Sequence, residues 1–265
     1  MRALLWSLML TIPALAIDVG EIVRRSVAAN EGNWKQAPNY GYVERDVTSK
    51  RGGARTIKTS QVYMIEGSEY NKLIAVNDKP LPASQQAAEE QKLKQEIQKR
   101  RHESPSERAK RVSKYQRDRQ QDHAMMREMA TAFNFKLAGE ENVNGRPAWL
   151  LIAEPKPNYR PRTRDTRVLT GMRGKLWVDK QTYQWAKVDA QVVKPVSFGG
   201  FIAQVGPGTR FVLEQAPVAG SLWLPRHFAV QVNASVLWRD RSSADDETYR
   251  DYRPMREILP SLASK

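Results

Sequence analysis

The sequence predicts an α+β fold: a long, twisted antiparallel sheet preceded by one helix and interrupted by a helical hairpin. Three observations carry this. Apolar residues fall at helical spacing from Asp18 to about Trp34, then alternate with polar ones in short runs from Tyr40 onward. Between Ser84 and Thr131 the alternation stops, glycine is scarce, and 20 of 48 residues are charged. A helical period that gives way to a period of two, with turn residues between the runs, reads as a helix followed by hairpin-linked strands.

Taken in order, Asp18 is placed to cap the first helix, with Glu21 three positions on completing a capping-box-like pair. Ile22, Val23, Val27 and Ala28 share one face, Arg24 and Arg25 lie off it, and Gly32-Asn33 fit its end. A meander follows at Tyr40–Thr48, Thr56–Glu66 and Asn71–Val76, turning at Gly52-Gly53 and Gly67-Ser68. The insertion, about 84 to 133, divides at Ser104-Pro105 into helices at about 84–102 and 105–133, because serine caps and proline suits a first helical position. Leu93 and Ile97 sit one turn apart on the first helix. Met125, Met126, Met129, Ala130 and Phe133 form an apolar stripe at the end of the second. The charge density predicts that most of this hairpin is solvated.

Asn144-Gly145 predicts a type I′ turn joining Phe135–Val143 to Arg146–Ala153. Pro155, Pro157 and Pro161 then impose an extended basic crossover, followed by a short helix around Thr163–Met172. Strands are expected at Lys175–Asp179, Tyr183–Val193, Phe201–Val205, Arg210–Glu214 and, longest, His227–Arg239. A last strand at Thr248–Arg253 pairs back across a Ser242–Asp246 turn. In the long strand Phe228, Val230, Val232, Ala234, Val236 and Trp238 point one way, and His227, Gln231, Asn233, Ser235 and Arg239 the other. Ala186, Val188, Ala190 and Val192 likewise share a face. Such strands bury one side of a sheet and solvate the other. At ~3.4 Å per residue the longest would run roughly 37 Å, so the sheet must twist and coil.

The start of the chain predicts export. Met1-Arg2 precede an uncharged, mostly apolar run, Ala3–Ile17, in which Ala14-Leu15-Ala16 matches a signal-peptidase site. The run falls short of the ~18 apolar residues of a spanning helix, so residues 1–16 read as a cleavable signal peptide, with an uncleaved anchor as the alternative. The mature chain, from about Ile17, is then expected to be soluble and periplasmic. Cysteine is absent, which excludes disulfides, thiolate metal sites, a cysteine nucleophile and a lipid-modified cysteine. An apolar content of 40% and seven tryptophans support a sizeable core, in one large domain or two small ones.

The net charge is +14, concentrated as +6 over Lys156–Lys175 and +4 over Ser84–Thr131. A basic surface attracts polyanions. For an exported chain these are lipid headgroups, lipopolysaccharide phosphates or acidic wall polymers, and no nucleic acid is expected. Arg160, Arg162, Arg164 and Arg167 are the candidate contacts to an anionic membrane surface; a basic surface serving only solubility fits the same composition.

No catalytic pattern stands out. His102, His123 and His227 lack metal-ligand spacing; the first two are expected to be solvated in the charged helices, and the third to open a strand on its polar face. There is no nucleophile elbow, no His-Glu-x-x-His pair and no phosphate-cradling glycine loop. Gly206-Pro207-Gly208 is a turn, since proline removes an amide that a phosphate would need. Asp179, Asp189 and Glu214 cannot be paired from sequence. The expectation is a protein that is not an enzyme and uses no cofactor or metal.

The run Gly174-Lys-Leu-Trp-Val-Asp-Lys-Gln-Thr-Tyr-Gln-Trp-Ala-Lys-Val-Asp189 resembles a hairpin of the LolA/LolB-like periplasmic lipoprotein carriers. In it a glycine opens a strand, an Asp-containing turn follows and a second strand begins. Glu140–Trp149 and Tyr249–Arg253 are also similar to what such proteins carry, as is the order of signal peptide, helix, meander and inserted helices. The related LppX/LprG lipid carriers and RseB-type regulators share their half-barrel.

The resemblance implies a curved sheet forming an incomplete β-barrel, plugged by the N-terminal helix and the hairpin, in a single domain over 17–265. It further implies a monomeric, non-catalytic carrier whose apolar interior holds a lipid, acyl chain or lipoprotein. The cavity candidates are Phe228, Val230, Val232, Val236 and Trp238 on the sheet, with Met125, Met129 and Phe133 on the hairpin. Methionine suits a lid that repacks around a guest, although ordinary core packing explains the same stripe. The alternative is a regulatory or structural envelope protein that uses this fold to bind a protein partner.

Overall fold

The computed structural model of the chain describes residues 18–50, 53–198, 203–237 and 239–258. The expected signal segment 1–16, the turn residue Gly52, the strand start at Phe201 and the cavity candidate Trp238 lie outside the described residues. Helix α1 (Val19–Gln36) leads into strands β1 (Tyr40–Lys50), β2 (Thr56–Ile65), β3 (Ser68–Val76) and the short β4 (Lys79–Pro80). Helices α2 (Ala83–His102) and α3 (Pro105–Ala132) form the inserted hairpin, followed by β5 (Phe133–Val143) and β6 (Arg146–Pro155). A crossover containing a 3-10 turn, Asp165–Gly171, reaches β7 (Met172–Asp179), β8 (Trp185–Val192), β9 (Val196–Phe198) and β10 (Ala203–Val205). The chain continues through β11 (Arg210–Ala219), β12 (Leu222–Val232), β13 (Ala234–Val236), β14 (Arg239–Asp240) and β15 (Ser243–Pro254).

Eleven strands form one antiparallel sheet in the order β4-β3-β2-β1-β15-β12-β11-β8-β7-β6-β5, and β14-β13-β10-β9 form a small second sheet. The large sheet ends at β4 and β5 and does not close on itself. A twisted sheet of this width curls, giving the incomplete barrel with helices against it that the resemblance implied. No helix among the described residues is long and apolar enough to cross a membrane.

Local chemistry accounts for most boundaries. Asp18 Oδ1 accepts from Gly20 N at 2.8 Å, but the expected capping box is absent because the Glu21 carboxylate pairs with Arg24. Ser104 and Glu107 do form one: Ser104 Oγ accepts from Glu107 N at 3.3 Å, and Ser104 N donates to the Glu107 carboxylate at 2.9 Å. Asn144 and Gly145 sit at φ 51° and 83°, the type I′ backbone expected of Asn-Gly.

The hairpin is clasped around the β2–β3 turn. Leu93 and Ile97 join Tyr63, Met64 and Ile65 in a core cluster. The Arg100 guanidinium, buried beside them, donates to the carbonyls of Ile65, Ser68 and Glu69. From this turn α3, 28 residues long and thus about 42 Å, runs to β5 at the opposite edge of the sheet. It crosses α1 on the way.

Strand register defines the face beneath the helices. One row runs Phe135, Ala153, Gly174, Ala190, Phe211, Val230 across β5, β6, β7, β8, β11 and β12. Its neighbour runs Leu137, Leu151, Leu176, Val188, Leu213, Phe228. The same rows continue onto β15 and β1 as Asp245–Thr48 and Glu247–Asp46. This face is therefore apolar across six strands and acidic across the next two.

Several expectations need correction. The long strand His227–Arg239 is two strands in two sheets: β12 starts at Leu222 and ends at Val232, and β13 belongs to the small sheet. Asn233 makes the break, its N–H donating to Thr209 Oγ1 at 2.9 Å and its side chain to Pro207 O at 2.7 Å. Val236 consequently leaves the row that holds Val230. His227 lies mid-strand, 3.1 Å from an Asp246 oxygen, rather than opening a strand. The expected Ser242–Asp246 turn is mostly strand, since β15 begins at Ser243. Ala186 does not share a face with Val188: a bulge between Trp177 and Val178 turns Trp185 inward and Ala186 outward, against Ala148, Leu150, Trp177 and Trp223.

Candidate functional site

The site begins with side-chain size. In the row from Phe135 to Phe211 the three middle positions, Ala153, Gly174 and Ala190, carry a methyl or nothing, while their neighbours are Leu, Val, Trp and Phe. Four strand spacings of ~4.8 Å separate the two phenylalanines, so the row forms a shallow slot that spans roughly 19 Å between them, and of the two only Phe135 borders the cavity. Above it lie Val23, Ser26 and Val27 of α1 and Met129 and Ala130 of α3, enclosing a cavity of about 40 Å³. Its one side-chain polar group from α1 is already occupied: Ser26 Oγ donates to Val23 O at 2.9 Å and accepts from Trp185 Nε1 at 3.0 Å.

The helices cover the slot unevenly. Ile22 packs into the cluster of Trp149, Leu151, Leu176, Val178, Trp185, Val188 and Leu213, whereas Phe211, Phe228 and Val230 remain half-buried. Phe211 and Phe228 meet edge to face at 5.2 Å.

Of the sequence-predicted cavity residues, Met129 and Phe133 line the cavity, and Met125 packs on the adjacent cluster around Phe133 and Leu169. Phe228 and Val230 lie on the same face beyond Phe211. Val232 borders a polar recess with Gln231, Asn233 and Ser242, away from the cavity. Sequence reasoning missed the small-residue row, whose signal was an alanine or glycine at one inward position of three neighbouring strands. Arg160, Arg162, Arg164 and Arg167 are all exposed. Their segment touches α3 where the Arg162 N–H donates to the buried Glu128 carboxylate at 2.9 Å.

His123 overturns its expectation of solvation. It is 7% exposed, stacks on Trp34 with ring centroids 4.2 Å apart, and places Nε2 3.0 Å from Glu31. Burial holds its pKa below the usual histidine value, against the pull of Glu31 and with the help of Arg127. The carboxylates left unpaired by sequence each have a cation: Asp179 with Arg146, Asp189 with Arg210, Glu214 with Lys187.

The acidic end of the face is electrostatically strained. Burial, then Glu247, Asp46 and Glu69, push Glu44 up to about 7. Burial also raises Glu247 and Glu69. A carboxylate raised in the folded state contributes its stability below the unfolded pKa of ~4.3 and loses it as pH rises through about 7. Allowing for partial exposure, this loss is about 2 kcal/mol, or roughly 5 °C in Tm. Glu44→Gln is therefore expected to melt several degrees above the parent at pH 8 and together with it at pH 4. His123 acts oppositely, losing stability as pH falls below ~6.5, so the difference between variant and parent at each pH is the quantity to read. Equal melting at pH 8 would refute the assignment.

No protein-family model matches the chain, and no curated protein sequence matches it. Solved structures align along most of its length. A LolA superfamily protein from Nitrosomonas europaea covers 90% of this chain and 94% of its own, at 9% identity and a TM-score of 0.33. A DUF1329 family protein from Desulfovibrio piger covers 89% and 92%, at 11% identity and a TM-score of 0.35. A chain of the Pseudomonas aeruginosa MucA/MucB complex covers 90% and 99%, at 13% identity and a TM-score of 0.24.

Proposed function

We propose that the chain is an exported, non-catalytic periplasmic protein that binds an acyl chain of a lipid or lipoprotein between its sheet and helices α1 and α3. The small-residue slot carries this reading. Three adjacent inward positions are left low beneath the flexible Met129; at Gly174 close approach of β8 contributes, since a Cβ there would come within 3.0 Å of Ala190 Cβ. The free room of about 40 Å³ is far below the ~300–1,000 Å³ of ligand sites. Binding thus requires the last turns of α3, from Met125 to Ala132, to lift, while the half-buried Phe211, Phe228 and Val230 extend the track. In this reading the exposed arginines of the crossover, attached to α3 at Glu128, hold this end against an anionic membrane surface.

The test is uptake of a fluorescent fatty acid by the purified chain. Ala190→Leu fills the slot, at an overpacking cost of about 1–3 kcal/mol, and is expected to weaken uptake about tenfold with the far-UV spectrum unchanged. The nearly filled interior favours the alternative, a regulatory or structural envelope protein that binds a protein partner. Absence of uptake by the parent chain would select that alternative.

A further inference from the structure

The apolar cavity has a polar continuation. A second hollow between α1 and α3 is bordered by Asn30, Glu31, His123, Met126 and Arg127, and it shares Val27 and Trp185 with the first. Ser26 and Asn30 are one helical turn apart, so α1 presents Ser26 to the cavity and Asn30 to the hollow. Asn30 is only 5% exposed. Its Nδ2 donates to Ser26 O at 2.9 Å, which fixes which end of the amide is nitrogen. Its Oδ1 is buried with no hydrogen-bond partner.

Buried acceptors in folded proteins are almost always paired. Glu31 adds a second acceptor on the same helix, while the His123 nitrogen nearest it lies at 3.0 Å from that carboxylate and is already engaged. Free room is about 10 Å³, at the lower limit for one water-sized group, so the hollow must widen slightly to admit a hydroxyl-bearing headgroup. Arg127 also borders the hollow but makes no hydrogen bond to Asn30, so the amide oxygen is left without a donor.

We propose that this hollow is the headgroup end of the acyl site. Asn30 Oδ1 accepts a hydrogen bond from a hydroxyl or amide N–H of an amphiphile whose tail lies along the small-residue slot. The inference rests on the acyl-binding reading above. A methyl ester brings only acceptors to Asn30 and Glu31 and leaves the amide oxygen unpaired. The site therefore prefers a neutral, donor-bearing headgroup to an ester of the same chain.

The experiment compares binding of a monoacylglycerol and the methyl ester of the same fatty acid by displacement of a fluorescent fatty acid from the full chain. The parent is expected to bind the monoacylglycerol about tenfold more tightly, as one buried hydrogen bond predicts. Asn30→Leu, similarly branched but bulkier and without an acceptor, is expected to bind the two alike. Asn30→Asp retains the acceptor oxygens and is expected to keep the preference, which covers the case in which the leucine variant does not fold. Equal binding of both ligands by the parent overturns the headgroup site while leaving the acyl reading standing. A preference that survives in Asn30→Leu overturns the assignment to Asn30. Binding of neither ligand overturns the acyl reading and this inference with it.

Discussion

Arg100→Met is expected to lower the unfolding free energy by about 3–5 kcal/mol, the range for breaking a buried charged network from one side. The side chain is 7% exposed. Its Nη1 donates to Ile65 O and Ser68 O, both at 2.9 Å, its Nη2 to Glu69 O at 3.1 Å, and its Nε to Glu96 at 2.7 Å. Methionine fills much of the same volume, so the loss reports hydrogen bonds rather than a cavity. The carbonyls left behind lie in a turn sealed by α2 and cannot all reach water. Arg111, from α3, holds the same turn, donating to Ser68 Oγ at 2.6 Å and to Glu66 O at 3.0 Å. The two substitutions should therefore couple, and their combined cost should differ from the sum of the single costs. Urea unfolding followed by circular dichroism measures both quantities. A cost below about 1 kcal/mol for Arg100→Met would mean that the clasp does not hold the hairpin.

Arg100 and Arg111 also show where sequence reading stops. Several element positions were legible because their causes are local: the serine cap before Pro105, the Asn144-Gly145 turn, the alternation of Val188, Ala190 and Val192 in β8. Charge density correctly placed most of the hairpin surface in solvent, but it hid the polar anchors. Arg100, His123 and Glu128 are buried because their partners, the β2–β3 turn, Trp34 with Glu31, and the crossover, come from distant parts of the chain. The break at Asn233 was invisible for a related reason, since the alternation continues through it and only the hydrogen bonds to Thr209 and Pro207 reveal a change of sheet.

The candidate site divides the same way. Met129 was legible as part of a helical stripe, while Phe133, read as the end of the same helix, opens β5 and reaches the cavity from there. The slot was not, because Ala153, Gly174 and Ala190 become neighbours only once β6, β7 and β8 are in register. The acidic end needed the pairing of the last strand, β15, with β1 and β12, which sets Glu247 opposite both Asp46 and Phe228. Asn30 gave no signal at all: its importance is an unpaired oxygen, and pairing is a property of the packed structure.

Arg146→Met is the second large effect, again about 3–5 kcal/mol at neutral pH, and its pH dependence separates it from a simple packing defect. Asp179 is fully buried at the end of β7. It accepts from Arg146 Nε at 2.7 Å and Nη2 at 3.1 Å, from Thr182 Oγ1 at 2.7 Å, and from the N–H groups of Gln181 and Thr182 at 3.1 Å and 2.8 Å. Burial alone would raise its pKa, yet the Arg146 and Thr182 hydrogen bonds prevail and hold it below the usual carboxylate value. In the parent the stability from this pair is therefore present above that value and is lost only as pH falls below it. Without Arg146 the burial effect gains ground, the carboxyl takes up a proton at higher pH, and the variant's deficit should shrink as pH is lowered from 7 toward 4. Asp179→Asn in the Arg146→Met background removes the charge and should recover part of the loss at pH 7 while flattening the pH dependence. Arg146→Lys should recover less, because lysine cannot reproduce the two-pronged contact or lie over Trp223, whose ring the guanidinium covers at 5.2 Å. Urea midpoints at pH 7 and pH 4 decide the matter: a deficit that is the same at both would place the role of Arg146 in covering Trp223 and the outer face, and not in neutralising Asp179.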